Sequence, residues 1–299
     1  MPYPKPLSDK NLEKKYEEAH ITKEIRQFLH EFFAACANLY GAIELNDMWQ
    51  IYRDLKDQFP MIHKTDMVRF SMIVRREVQP YSIFKYDELY DAEDYKGFKN
   101  WLIHKDLVGY ASMKLILYYK LINARGDRPY YVPQDLLSYA QTGYTKNDCK
   151  LLDYLGCFVS VKDFNVYGFQ NENKGKTLGE FSFLTKSDVR EIGRLRDDDA
   201  RVAAVYEKTK VSAAEKIIKN IILNNNVGAM PPSMLFWSTL MDIADQGVVI
   251  DSTQRKDLLR RVAYHYNNSR LWWLGGWTPN ELHLSFERMH EAMLSGLQL

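Results

Sequence analysis

Asn38-Leu-Tyr-Gly-Ala-Ile-Glu-Leu-Asn-Asp47 is the stretch on which the fold turns. It reads as a helix stop, a strand and a helix start. Gly41 can end a helix, because glycine accepts backbone conformations that other residues resist. Ala42 to Leu45 suffices for a short strand, and Asn46 or Asp47 offers an oxygen that caps the next helix. Upstream, Thr22 with Glu24 opens a helix running to about Leu39, with Ile25, Leu29, Phe32, Phe33 and Cys36 as its apolar stripe. Downstream, Met48, Ile51, Tyr52 and Leu55 share one helical face. Thr65-Asp66 caps a further helix with Met67, Phe70, Ile73 and Val74 inward. Val78 to Tyr90 then alternates like a strand, Tyr81, Ile83 and Tyr86 against Ser82 and Lys85. Helix, short strand, helix, helix and β-ribbon is the element order of a winged helix, here over residues 22–110.

On either side of this core the pattern is helical. Met1-Pro-Tyr-Pro-Lys-Pro6 reads as a mobile leader, and Ser8 or Asp9 caps a first helix, Lys10 to Ala19. Residues 111–123 are strongly apolar and helical; Pro133 to Ala140 is a short helix, and Thr145 caps another from Lys146 to Leu155. Cys157 to Phe169 looks β-like. Asn171-Glu-Asn-Lys-Gly-Lys176 has no apolar residue and reads as a linker or hairpin tip. Helices are then expected over 186–196, 199–209, 212–225, 231–245, 252–271 and 279–295. The expected organisation is a winged-helix-like α+β domain over 1–170, a linker over 171–184 and a helical-bundle domain over 185–299. The fold class is mainly α with small β elements.

The second informative stretch is Tyr264-His-Tyr-Asn-Asn-Ser-Arg-Leu-Trp-Trp-Leu-Gly-Gly-Trp-Thr-Pro-Asn-Glu-Leu282. Gly275-Gly276 stops one helix. Thr278, with Pro279 at the first helical position and Glu281 at the third, starts the next as a capping box. Trp272, Trp273 and Trp277 crowd the turn and are expected to pin the two helices together.

Composition narrows the function. A hydrophobic fraction of 46% and a charged fraction of 26% belong to an ordinary soluble globular protein. The net charge of +1 is not that of a strongly basic nucleic-acid binder, so any such binding rests on a local patch. Three cysteines without framework spacing point to free thiols, with Cys36 in a core. The opening residues lack the apolar centre of a signal peptide, and no apolar run nears the roughly 20 residues of a membrane span. A cytoplasmic protein with no membrane partner is expected.

Motifs for chemistry are sparse. There is no Gly-x-Ser-x-Gly elbow, no phosphate-binding Gly-x-x-x-x-Gly-Lys loop and no dinucleotide Gly-x-Gly-x-x-Gly. On the helix expected at 279–295, His283, Glu287 and His290 would share a face. Glu287-x-x-His290 and Glu17-x-x-His20 match the pair used in carboxylate-bridged di-metal bundles. Chance supplies such matches readily, so neither a metal nor any other cofactor is expected.

Two surfaces compete for a partner. Tyr86, Asp87, Tyr90, Asp91, Glu93, Asp94 and Tyr95 form an acidic, tyrosine-rich segment suited to a basic protein surface. Lys64, Arg69, Arg75 and Arg76 lie on the helix that a winged helix would place in a major groove. A second basic strip, Arg255, Lys256, Arg260 and Arg261 with Arg270, leads into the tryptophan-rich turn.

The two quoted stretches, Asn38–Asp47 and Asn267–Leu282, resemble uncharacterised proteins of Gram-positive bacteria and their mobile elements, some with a C-terminal SEC-C metal-binding motif. The sequence closes at Leu299 without that cysteine-rich tail, so zinc is not carried over. The resemblance implies a bacterial or phage-related intracellular protein of helical build. The expectation is a non-enzymatic interaction or regulatory protein that binds a protein partner. A nucleic-acid-binding regulator using the N-terminal unit is the alternative, and a metal-dependent enzyme with His283, Glu287 and His290 the third reading.

Overall fold

The computed structural model describes residues 3–89, 100–108, 116–141, 143–158, 200–228, 232–245, 252–286 and 288. It is mainly helical, with one three-stranded antiparallel sheet. The chain divides into two compact units. Unit 1 comprises Met1–Gly143, Asn226–Ala229 and Arg270–Thr278, and unit 2 comprises Tyr144–Asn225, Met230–Ser269 and Pro279–Leu299. The linker expected at 171–184 lies outside the described residues, as does the helix expected at 186–196.

Unit 1 opens with α1 (Asp9–Glu18) and α2 (Lys23–Tyr40). Thr22 caps α2 by accepting the Ile25 N–H at 3.3 Å. The α2 face is wider than its stripe suggested: Phe28, Ala35, Ala37, Leu39 and Tyr40 join Leu29, Phe32, Phe33 and Cys36 in the core, while Ile25 is half-buried. Gly41, at φ +69°, ends the helix. β1 (Ala42–Glu44) follows at once, then α3 (Leu45–Asp54), α4 (Lys64–Val74) and β2 (Tyr81–Lys85). A short α5 (Tyr86–Leu89), β3 (Asn100–His104) and α6 (Ile116–Arg125) complete the described elements of the N-terminal segment, apart from 3-10 turns. The sheet order is β1-β3-β2, with Ala42 opposite Ile103 and Ile83 opposite Leu102. Leu102 and Ile83 join the core that holds Met67 and Phe70 of α4, while Ile103, on the opposite face of the strand, is also buried.

Several expectations need correcting here. The α3 cap falls at Glu44, earlier than Asn46 or Asp47, because the strand gives out after three residues. The strand expected to reach Tyr90 stops at Lys85, where Glu88 turns back to accept the Lys85 N–H at 2.7 Å. The leader is docked from Tyr3 onward: the Ile83 N–H donates to the Tyr3 hydroxyl at 3.0 Å, and the Leu7 N–H to the Arg76 carbonyl at 2.9 Å.

The tryptophan-rich turn belongs to unit 1. Leu271 to Gly276 coils into a 3-10 turn (Trp272–Leu274), with Gly275 at φ +66° and Gly276 at +86°. Trp272 is buried, and its indole N–H donates to the Asn38 carbonyl at 2.8 Å. A Cβ on Gly41 would stand 2.4 Å from the Trp272 ring, and one on Gly276 would crowd Tyr40 and Leu39. Within unit 1 the end of α2 and the Leu271–Gly276 turn, far apart in sequence, are therefore packed against each other. The tryptophans pin the turn to α2 and to the Pro129–Tyr131 segment rather than joining two helices.

Unit 2 contains α7 (Lys146–Phe158), α8 (Ala200–Val227) up to Asn225, α9 (Pro232–Asp245) and α10 (Ser252–Asn268). Thr145 and Asp148 cap α7 reciprocally, at 3.2 and 2.7 Å. Cys157 and Phe158 close this helix, and the remainder of the β-like stretch is undescribed. The helices expected at 199–209 and 212–225 are one, since no glycine or proline interrupts Lys208 to Ala213. Residues 279–285 are not helical. Pro279 and Asn280 enter a turn closed by the Leu284 N–H on the Pro279 carbonyl (2.8 Å), and His283 sits at φ +57°. The Phe286 N–H finds its acceptor in Asn267 Oδ1 at 2.6 Å, so the Thr278 capping box does not start a helix.

Candidate nucleic-acid interface

α4 is positioned by its inner face. Met67, Phe70, Ser71, Ile73 and Val74 are buried, and Asn100 of β3 donates to Ser71 Oγ (3.4 Å) and reaches Met72 Sδ (3.8 Å). Its N-terminus is closed by a capping box between His63 and Asp66. The outer face then follows from helical period: Thr65, Arg69 and Met72 recur every three or four residues, with Lys64 beside them and Arg76 in the turn just past the helix. All five are exposed. Among the described residues Lys64, Arg69 and Arg76 form no ion pair. The strip therefore offers three free cations, one hydroxyl and one thioether to whatever approaches α4.

Arg75 leaves the proposed set. Its side chain is 5% exposed, its Nη2 donates to Glu88 Oε1 at 2.6 Å, and the Tyr3 ring covers the guanidinium at 5.5 Å. At the C-cap of α4 this arginine reaches α5, where Glu88 neutralises it. A buried, paired arginine gives nothing to a phosphate. It ties α4, the start of the β2–β3 connection and the N-terminal segment into one piece.

Of the acidic segment, Tyr90, Asp91, Glu93, Asp94 and Tyr95 lie outside the described residues. Tyr86 and Asp87 begin α5, so they do not continue the β2 alternation. The metal candidates are not assembled as foreseen. His283 stands in a turn, Glu287 and His290 are outside the described residues, and His20 follows the end of α1 at φ +56°. No group of three His, Cys, Asp or Glu able to hold a metal occurs among the described residues.

Unit 2 has a polar cluster that spacing did not announce. His265 of α10 is buried, with Nε2 2.6 Å from Asp148 Oδ1 of α7 and Nδ1 3.3 Å from the Asn225 amide of α8. Burial opposes ionisation of Asp148, but the His265 contact and the Thr145 bonds outweigh it and hold its carboxyl below the usual range. The three residues join three helices. The capping signal at Thr145 was legible, but neither Asp148 nor its partner 117 residues away was.

No protein-family model, curated protein or solved structure matches this chain. No described helix is long and apolar enough to cross a membrane.

Proposed function

We propose that the chain is a non-enzymatic regulatory protein whose unit 1 is a winged-helix module that docks on duplex nucleic acid through α4. The observation that carries this reading is the set of exposed cations Lys64 and Arg69 on the outer face of α4 and Arg76 just past its end, none in an ion pair among the described residues. The element order α2-β1-α3-α4-β2-β3 and the sheet order β1-β3-β2 support it, because α4 then stands where such a module presents its recognition helix. Arginines and a lysine contact phosphates, while Thr65 and Met72 offer small contacts to base edges. Fluorescence anisotropy with a labelled duplex tests it. Arg69→Glu with Arg76→Glu is expected to weaken binding at least tenfold and to lower the salt slope by about 2, one phosphate contact per residue. Unchanged affinity would remove the reading.

A protein partner is the second reading, and α9 favours it. Met234, Trp237 and Met241 lie on one helical face at 56%, 63% and 65% exposure. Apolar rows of this kind mark protein contacts more often than bare surface. We take a second copy of the chain as the occupant. Sedimentation of the protein and of Trp237→Glu decides it: a dimer lost in the variant supports this reading, and a monomer in both removes it.

A further inference from the structure

We propose that the outer face formed by α7 and α10 in unit 2 is a second, sequence-independent binding surface for single-stranded nucleic acid. Three contacts fix the two helices side by side and antiparallel. Asn147 Nδ2 donates to the Asn268 carbonyl at 3.1 Å, Lys150 Nζ lies 5.8 Å from the Tyr264 ring, and the Arg261 guanidinium stacks on Tyr154 at 4.0 Å. Behind them, Asp148 and His265 turn inward and are buried. The outer face is left with Lys146 and Lys150 on α7, and Lys256, Arg260, Arg261 and Tyr264 on α10, all exposed.

Charge on this face is lopsided. Among the described residues its acids are Asp153 and Asp257. Asp257 is already occupied, by Arg261 at 3.1 Å and Arg260 at 3.6 Å. Lys146, Lys150 and Lys256 have no ion pair among the described residues, and the Arg260 side chain remains 77% exposed despite its contact. Lys146 and Lys150 stand four residues apart, as do Lys256 and Arg260, so positive charge repeats about every 6 Å along both helices.

That layout fits an extended polyanion better than a compact one. The cations form two rows and do not converge on a point, as they would around a single phosphate. Tyr264, 51% exposed, stands between the rows, with Lys150 over its ring at 5.8 Å. A track of cations with an open aromatic is how single strands are held without regard to sequence. A lipid surface would want exposed Trp, Phe or Leu on the same face, and the face has none. This surface lies in unit 2 and does not depend on the α4 reading of unit 1.

The test uses the full chain and a labelled oligothymidylate of about 20 nucleotides, a length that spans one such site. Lys150→Glu with Lys256→Glu and Arg260→Glu is expected to weaken binding at least tenfold and to lower the salt slope by about 2, the value for three phosphate contacts on a single strand. Tyr264→Ala is expected to weaken the single strand about tenfold and a duplex much less. Arg69→Glu with Arg76→Glu should leave oligothymidylate binding unchanged, so failure of the α4 reading and failure of this one are separable. Circular dichroism checks folding, and Lys150→Gln with Lys256→Gln replaces the triple variant if that does not fold. Wild-type affinity in the charge variants overturns the proposal. So does binding of polyglutamate as tight as that of oligothymidylate, which would make the partner an acidic polypeptide.

Discussion

Gly41 and Trp272 join α2 to the tryptophan-rich turn, and a double-mutant cycle tests the contact. An alanine Cβ at position 41 would stand 2.4 Å from Trp272 Cδ2 and 2.6 Å from Cε3, where ordinary contact begins near 3.4 Å. The ring would have to withdraw by about 1 Å. It is poorly placed to do so: it is 4% exposed, its N–H is committed to the Asn38 carbonyl, and the His104 ring lies 4.8 Å away. Overpacking of this kind costs about 1–3 kcal/mol. A non-glycine residue at φ +69° adds about 1 kcal/mol or more. Gly41→Ala should therefore cost unit 1 about 3 kcal/mol. Trp272→Ala should cost about 4 kcal/mol, through the lost ring and the orphaned carbonyl. The two losses should not add. Once the ring is gone the clash is gone, and only the backbone penalty at Gly41 remains, so the double variant should be less impaired than the sum by about 1–3 kcal/mol. Hydrogen exchange of the α2 amides reads unit 1 alone. A Gly41→Ala loss under 0.5 kcal/mol, or strict additivity, would show that the turn does not seat Trp272 on α2.

In unit 2, Asp148→Ala should cost about 4 kcal/mol by leaving His265 buried without its acid, so α7 and α10 amides should exchange roughly a thousandfold faster. Because the folded carboxyl of Asp148 titrates below its unfolded value, its contribution is complete above the ordinary carboxylate pKa. It is lost as pH falls from about 4 toward the depressed value, and Asp148→Asn should flatten that acid limb in urea titrations. In unit 1, Glu88→Gln should destabilise by about 3 kcal/mol because Arg75 stays buried and charged, whereas Arg75→Met with Glu88→Leu should recover most of it; equal losses in the two variants would mean that the pair is not a unit.

Local signals were legible where the cause is local. Thr22 caps α2, Gly41 ends it, and Thr145 starts α7, each within four residues of what it controls. The inner set of α4 followed from its period. What escaped is what distance hides. Arg75 and Arg76 are neighbours in sequence with equal charge, yet one is exposed and the other is captured by Glu88 thirteen residues later. Thr278 offers a good capping box, but Asn267 reaches the Phe286 N–H and the intervening residues turn instead. The tryptophans announced a packed turn without saying that Trp272 would seat on Gly41. Nothing in the spacing of Asn225, Asp148 and His265 marks them as one cluster, because each comes from a different helix.

The net charge of +1 speaks less against nucleic-acid binding than composition implied. A phosphate senses charges within about one Debye length, roughly 8 Å at physiological salt, so only the local balance matters. The fold makes that balance uneven. On α4, Asp66 is turned to the His63 N–H as a cap, and Glu88 is consumed by Arg75, which leaves Lys64, Arg69 and Arg76 with no acid partner among the described residues. On α10, Asp257 is shared by two arginines while Lys256 has no ion pair among the described residues. Both faces thus use their nearest acids in structural roles and keep the cations for solvent. A sum over the sequence counts Glu88 and Asp257 at full weight, although arginines already offset their charge within the fold.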